Sequence, residues 1–251
     1  MIPLLSPLFQ GELAAHGETL ECAAHWPAAA IPISRLANDD SMLADAIRSY
    51  ATHLGVTGND LRAAASAWSL SYLWTLLPAV TAAASVLQHQ FPMHAADVAL
   101  SLNDANAPTR FHITHEGHAL PGSPPTDRYG PLLDEHLAPL FKAINRQTRL
   151  PQKILWGNVA RYLEVILDQA LALTGNAEHI AEDREVLLLH PARPDGQPNP
   201  LYGRQRMSIH VENGLAAPIM LYRQCCLLYR LPGQSYCDPC PLAPEHRGAT
   251  K

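Results

Sequence analysis

Ala63-Ala-Ala-Ser-Ala-Trp-Ser-Leu-Ser-Tyr-Leu-Trp-Thr-Leu-Leu-Pro-Ala-Val-Thr-Ala-Ala-Ala-Ser-Val-Leu87 carries no charged residue. A stretch of this length is enough to cross a bilayer, which takes roughly 20 apolar residues. Its composition argues otherwise. Much of it is Ala, Ser and Thr, Pro78 interrupts it, and Arg62 and His89 flank it without strong anchoring. A helix apolar on every side is equally what the centre of a globular protein requires. The stretch therefore predicts a buried central helix, kinked or broken before Pro78, with Trp68, Tyr72 and Trp74 in the core.

Residues 1–37, before it, show no hydrophobic period and predict irregular structure or short pieces wrapped on the body. Asp39-Asp40-Ser41 reads as a helix start. Leu43, Ile47, Tyr50 and Leu54 share one face, and Gly55 is a stop. After the central stretch, Val98, Leu100 and Leu102 alternate with smaller or polar neighbours. Phe111 and Ile113 alternate again beyond Asn103–Pro108, which predicts a hairpin. His112, His115 and His118 recur every third residue, so on a strand they do not share a face, and they read as exposed or hydrogen-bonded.

Thr126-Asp127 opens a helix with the stripe Leu133, Leu137, Leu140, Phe141 and Ile144, bent at Pro139. Pro151 begins a stronger one with Leu155, Val159, Tyr162, Leu163, Ile166, Ala170 and Leu173 inside and Gly175 at its end. Ala181–His190 predicts a third, shorter helix, and His190–Pro200 a loop. Met207–Val211 and Ala217–Tyr222 read as strands around a turn at Glu212-Asn-Gly214. The fold class is thus α+β: a mainly helical body with a small antiparallel sheet, residues 1–206, followed by a cysteine-bearing C-terminal segment, residues 207–251.

That segment holds four of the five cysteines, Cys225, Cys226, Cys237 and Cys240, in the pattern C-C-x10-C-x2-C. A Cys-x-x-Cys turn aims two thiolates at one metal, zinc or an edge of an iron–sulfur cluster. The adjacent pair is the unusual half. Neighbouring side chains on extended backbone point apart, so Cys225 and Cys226 converge on one small ion only across a sharp turn. A two-iron cluster, with bridging sulfides of its own, accepts less regular ligands and needs four thiolates. Zinc and disulfides remain alternatives at this point. Pro232-Gly233 is a reversing turn that would return Cys237 and Cys240 to the first pair. Cys22 lies apart and reads as a small buried apolar residue.

The chain of 251 residues has a net charge of −5, which gives no general attraction to nucleic acid or anionic lipid. Met1-Ile-Pro-Leu-Leu-Ser-Pro lacks the basic start of a signal peptide. Clustered cysteines in an unexported chain fit a metal protein of the reducing cytosol. No Gly-rich phosphate loop, catalytic triad or paired carboxylates is apparent, so nothing marks a built-in nucleotide or flavin site.

The chain resembles the FhuF-type ferric-siderophore reductases. The likeness rests on Cys225-Cys226-Leu-Leu-Tyr-Arg-Leu-Pro232 with the later Cys237 and Cys240, on Lys153-Ile-Leu-Trp-Gly-Asn158, on Asn199-Pro-Leu-Tyr202 and on the Trp- and Leu-rich stretch ending at Leu77-Pro78. The resemblance implies a 2Fe–2S cluster on Cys225, Cys226, Cys237 and Cys240, and reduction of a ferric hydroxamate siderophore. With no nucleotide fold of its own, the chain is expected to take its electron from a separate donor and to act in the cytosol, and a family habit of acting close to the inner membrane face fits peripheral contact there. Trp156 and Asn158 become candidate walls of the siderophore cleft, beside their simpler reading as packing and a hydrogen bond. Arg223 and Arg230 flank the motif and either offset the charge of the thiolate centre or face solvent. Tyr229 and Tyr236 shield the centre or line a docking surface. The alternative function is a non-redox protein with structural zinc that binds a siderophore or a partner.

Overall fold

Residues 1–37 fold onto the body although they carry no period. In the computed structural model, which describes residues 1–212 and 215–246, they form two 3₁₀ turns, helix α1 (Ala14–Gly17), strands β1 (Leu20–Cys22) and β2 (Ile31–Pro32) and the start of α2 (Ile33–Asn38). Ile2, Leu5, Phe9, Leu20 and Ile33 are buried in the main core. Elements this short leave no repeat to read, because single apolar residues, not stripes, make the contacts. Cys22 is only partly buried, so the expectation of a buried position for it is corrected. Helix α3 (Asp40–His53) begins where expected: the Asp39 carboxylate accepts from the backbone N–H groups of Ser41 and Met42, both at 3.1 Å. Gly55, with φ +73°, follows its end.

The uncharged stretch becomes α4 (Arg62–Val86), a single helix that runs unbroken through Pro78. A proline inside a helix costs about 3 kcal/mol, and here packing on all sides outweighs it. Its most apolar 18-residue window has a mean hydropathy of 1.3 and is 78% buried, as in the core helix of a globular protein. Trp68 and Tyr72 are in the core as expected, but Trp74 is 46% exposed. It stands edge-on to His16 at 4.7 Å and 5.4 Å from Tyr162, at the rim of an apolar groove with Phe9, Val165 and Leu173.

One side of α4 is covered by a sheet. After a short β3 (His89–Gln90), strands β4 (Val98–Leu102) and β5 (Pro108–Ile113) form the expected hairpin, with a register shift at Ser101/Leu102. The sheet order is β1-β5-β4-β2. The β1–β5 pairing is parallel, so the sheet is mixed and not purely antiparallel. A parallel neighbour needs a long crossover, and residues 23–107, which include α4, supply it. Leu20, Phe111 and Leu100 lie in register across three strands and present one buried row to the helix. Trp68 Nε1 donates to Asn106 O at 2.9 Å and so ties the hairpin loop to α4. His112 is buried and bonded to Ser101 Oγ at 2.8 Å, while His115 and His118 are exposed. His118 lies in β6 (His118–Ala119), which pairs with β3.

Helices cover the other side. The stripe that starts at Thr126 is split into α5 (Pro125–Gly130), a π-helical stretch Pro131–Leu137, and α6 (Ala138–Thr148). Pro131 and Pro139 both stand in the first turns of their segments, where a missing N–H is tolerated. Helix α7 (Gln152–Leu173) lies along α4, and α8 (Glu178–Arg184) leads into a second π-helical stretch, Glu185–Leu189. A buried polar chain links these layers. Tyr129 Oη bonds Ser85 Oγ, which donates to Asp183 Oδ2, both at 2.6 Å, and Asp183 pairs with Arg128. Strands β7 (Gln205–Glu212) and β8 (Leu215–Tyr222) make the last hairpin. The turn expected at Asn213-Gly214 lies outside the described residues.

His136 sits at the centre of the body, fully buried. Its Nδ1–H donates to Met93 O at 3.1 Å, which leaves Nε2 to accept from the Tyr72 hydroxyl. Burial holds its pKa down at about 4, against an ordinary value of 6.5. Below pH 6.5 the unfolded chain binds a proton that the folded chain refuses, so stability is full above that pH and falls as the pH drops toward 4. The loss is on the order of 3 kcal/mol. Denaturant melts between pH 7 and 4 will show this slope, and the His136→Gln variant will lack most of it.

Candidate metal-binding cysteine centre

Strand β8 carries the chain directly into the first cysteine pair, and backbone bonds fix its course. Arg223 N–H donates to Arg204 O at 2.7 Å. Cys225 and Cys226 follow, both buried. Leu227 then adopts the left-handed conformation, φ +63°, which a leucine takes only under constraint. This is the sharp turn that adjacent thiols require. It brings Leu227 N–H to Cys225 Sγ at 3.3 Å. A 3₁₀ turn at Leu228–Arg230 leads to Leu231, buried against Ala51, Ala63, Ala64 and Ala67 of α3 and α4.

The chain reverses at Pro232-Gly233, as the sequence predicts, with Gly233 at φ +73° and Gln234 N–H bonded to Leu231 O at 3.1 Å. The returning limb is tied to the first where Tyr222 N–H donates to Pro239 O, and its own turn is closed by Cys240 N–H to Cys237 O, both at 2.9 Å. A His246 ring N–H donates to Cys240 O at 3.0 Å. The result brings Cys225 Sγ within 3.5 Å of Cys240 Sγ. Cys226 is buried beside them, and Cys237 lies at the surface.

The thiols influence one another strongly. Cys225 and Cys226 share a hydrogen bond, which pushes Cys225 far up and holds Cys226 well below the ordinary thiol value. The Leu228 backbone N–H and the Arg161 guanidinium add to the effect on Cys226. Cys237, although an exposed residue, is pushed up to about 11 by partial desolvation of its sulfur and by the charges of Cys226 and Cys240.

The remaining candidates fall in different places. Trp156 packs edge-on to Phe141 at 5.0 Å, only 8% exposed. Asn158 is buried, and its Nδ2 donates to Ser66 Oγ at 3.3 Å and Ser69 Oγ at 3.1 Å. Both are interior residues, in keeping with the simpler of their two readings. Asn158 bolts α7 to α4 one turn from the alanines that receive Leu231. Arg230 pairs with Asp60 at 3.0 Å, and Arg223 Nε donates to Gln205 O at 3.2 Å. Tyr229 and Tyr236 stack with their centroids 4.4 Å apart beside the cysteines. Arg161, on α7, was not among the candidates. The available signal was a second stripe on that helix, Gly157, Arg161 and Glu164, spaced four and three residues apart. Elsewhere Asn199 and Leu201 line a pocket with Tyr129, Asp134, Arg193 and Asp195.

Residues 66–215, more than half of the chain, match the family described as "Ferric iron reductase FhuF-like transporter". The chain belongs to the FhuF family. The matched region runs from the first turns of α4 to the start of β8, leaves out α1 to α3, and ends before the cysteine motif. A curated relative of Escherichia coli (strain K12), named "Ferric siderophore reductase", is 26% identical over 130 residues. These make up 52% of this chain and 46% of that protein, so the chain spans about half the length of the relative. Among solved structures, aerobactin synthetase IucA from a hypervirulent pathotype of Klebsiella pneumoniae shares the fold with a TM-score of 0.53 at 16% identity. The match covers 69% of this chain and 37% of that one. A second structure of the same synthetase agrees, at 17% identity and a TM-score of 0.53. A body of this fold is thus also found as part of a larger protein.

Among the described residues, no three His, Cys, Asp or Glu side chains already stand in metal-ligating positions. The donor set nevertheless fits an iron–sulfur centre in kind and number: four thiols, none in a disulfide, on one short segment. Two sulfurs on one tetrahedral metal, each bonded at about 2.3 Å, stand about 3.8 Å apart. The Cys225–Cys240 separation of 3.5 Å is close to that. The same closeness has a consequence without metal. Mild oxidation of the metal-free chain with diamide will join Cys225 to Cys240 first, as peptide mapping after alkylation will show. A Cys237–Cys240 or Cys225–Cys226 bridge as the first product contradicts this geometry.

Proposed function

We propose that this FhuF protein is a ferric-siderophore reductase that carries a 2Fe–2S cluster on Cys225, Cys226, Cys237 and Cys240. The observation that carries the reading is the convergence of the two cysteine pairs, Cys225 Sγ lying 3.5 Å from Cys240 Sγ, on an FhuF body. The cluster would supply a one-electron carrier.

The substrate's chemistry asks for little more. A hydroxamate siderophore holds ferric iron through hard oxygen ligands, and Fe(II), with less charge, binds them far more weakly. One electron therefore releases the metal with the chelator intact. No general acid, base or nucleophile is required. The chain's own residues position the centre. Leu227 turns the adjacent thiols toward one another, and the Leu231 anchor and the Tyr222–Pro239 bond hold the two limbs together. Three thiols are buried away from solvent, which protects the centre, whereas Cys237 opens it to the surface. The stacked Tyr229–Tyr236 pair beside it supplies a flat aromatic wall for the ferric complex. The electron comes from a separate donor protein, and Fe(II) is released in the cytosol.

Anaerobically purified protein is expected to hold two irons and two acid-labile sulfides per chain and to give an S = 1/2 EPR signal after dithionite. One zinc without labile sulfide, persisting after attempted reconstitution, replaces this reading with a structural zinc site and a binding role. With dithionite as donor and a ferrous-specific chelator as readout, the wild type will reduce a ferric hydroxamate. Cys237→Ser will lose at least 100-fold of that rate, on the order of 3 kcal/mol of barrier, while circular dichroism stays unchanged because Cys237 is exposed. Retained turnover in that variant sinks the proposal.

A further inference from the structure

Helix α7 makes contact on two faces. Leu155, Val159, Leu163 and Leu167 are buried in the main core. The stripe Gly157, Arg161 and Glu164 meets the C-terminal segment instead. A Cβ at Gly157 would stand 3.5 Å from Gln224, which shows how closely the chain passes there. Glu164 accepts from Gln205 Nε2 at 2.7 Å. Between them, the Arg161 guanidinium lies over the Tyr222 ring, 3.9 Å from its centroid.

Tyr222 is the last residue of β8, and its N–H is bonded to Pro239 O inside the Cys-x-x-Cys turn. The ring that holds Arg161 is therefore the joint between the two cysteine limbs. Arg161 Nε is buried and finds no hydrogen-bond partner among the described residues. Leaving a buried donor unpaired costs free energy, so packing alone gives no reason for an arginine here. A neighbouring negative charge does, and the ring beneath Arg161 belongs to the residue whose N–H is bonded to Pro239, between Cys237 and Cys240, where a thiolate centre would supply that charge. Arg stays charged under all ordinary conditions and stacks on aromatic faces, which suits it to this place better than Lys. The two arginines adjacent to the cysteines in sequence are engaged elsewhere, Arg230 with Asp60 and Arg223 with Gln205 O.

We infer that Arg161, held on the Tyr222 ring, is the positioning residue that places positive charge beside the cysteine centre, favours its reduced, more anionic state and raises its reduction potential. The inference rests on the iron–sulfur reading above. Removing the charge makes reduction harder, and replacing it with another cation restores most of the effect.

The test compares wild type, Arg161→Gln, Arg161→Lys and, as a control, Arg223→Gln. Each is assayed for iron and sulfide and titrated with dithionite under EPR. Arg161→Gln is expected to shift the reduction equilibrium about tenfold against reduction, about 59 mV for one electron. Arg161→Lys should keep most of the wild-type potential, and Arg223→Gln should match it. Failure of Arg161→Gln to hold the cluster, with Arg161→Lys holding it at near wild-type potential, supports the same role. Three results overturn the inference: an unshifted Arg161→Gln, equal shifts in Gln and Lys variants, or loss of the cluster in both. A wild-type protein without iron and labile sulfide defeats the iron–sulfur reading itself and the inference with it. A cluster present with an insensitive potential defeats the inference alone.

Discussion

Residues 63–87 form almost the whole of a helix that has no charged side to turn to water, and burying it is the constraint on which the rest depends. Burying apolar surface contributes about 25 cal/mol per Å², and α4 offers such surface all round. The β1-β5-β4-β2 sheet covers one side and α7 another, with α3 near its start. Several of the polar groups inside this shell pair with one another. Ser66 and Ser69 meet Asn158, Ser85 meets Tyr129 and Asp183, and Tyr72 meets His136. Unpaired, groups of this kind would cost roughly 1–3 kcal/mol each, so the pairs select one register of the helices against others.

The cysteine centre inherits its platform from that register. Leu231 is seated on the small residues Ala63, Ala64 and Ala67 at the start of α4, and Gln224 and Tyr222 lie on Gly157 and Arg161 of α7. Asn158 locks these two helices to each other beneath the segment. The strand β8 alone would leave Cys225 and Cys226 pointing apart; the left-handed Leu227, held by packing on both clusters around it, makes them converge. The chain thus uses a rigid helical pair to impose a turn that its local sequence would not choose.

Charge at the centre follows the same logic. Electrostatic influence falls with distance and rises with burial, so a cation on a packed helix acts on a thiol more than one on a neighbouring exposed residue. Arg223 and Arg230 are close to the cysteines along the chain, yet each has another partner. Arg161 is far from them in sequence and lies against the joint of the motif.

Much was open to reading from the residues themselves: the α+β class, the buried central helix, the start of α3 at Asp39, the β4–β5 and β7–β8 hairpins, the reversal at Pro232-Gly233 and the grouping of four thiols. These rest on local spacing, on caps and on turn chemistry, which neighbours in the chain supply. The tertiary structure alone decided the parallel β1–β5 pairing, the continuity of α4 through Pro78, the exposure of Trp74, the interior posts of Trp156 and Asn158 and the arrival of Arg161 over the Tyr222 ring. Each of these depends on which faces meet across long separations in sequence. Local propensity cannot specify such meetings, because they are settled by the packing of whole elements.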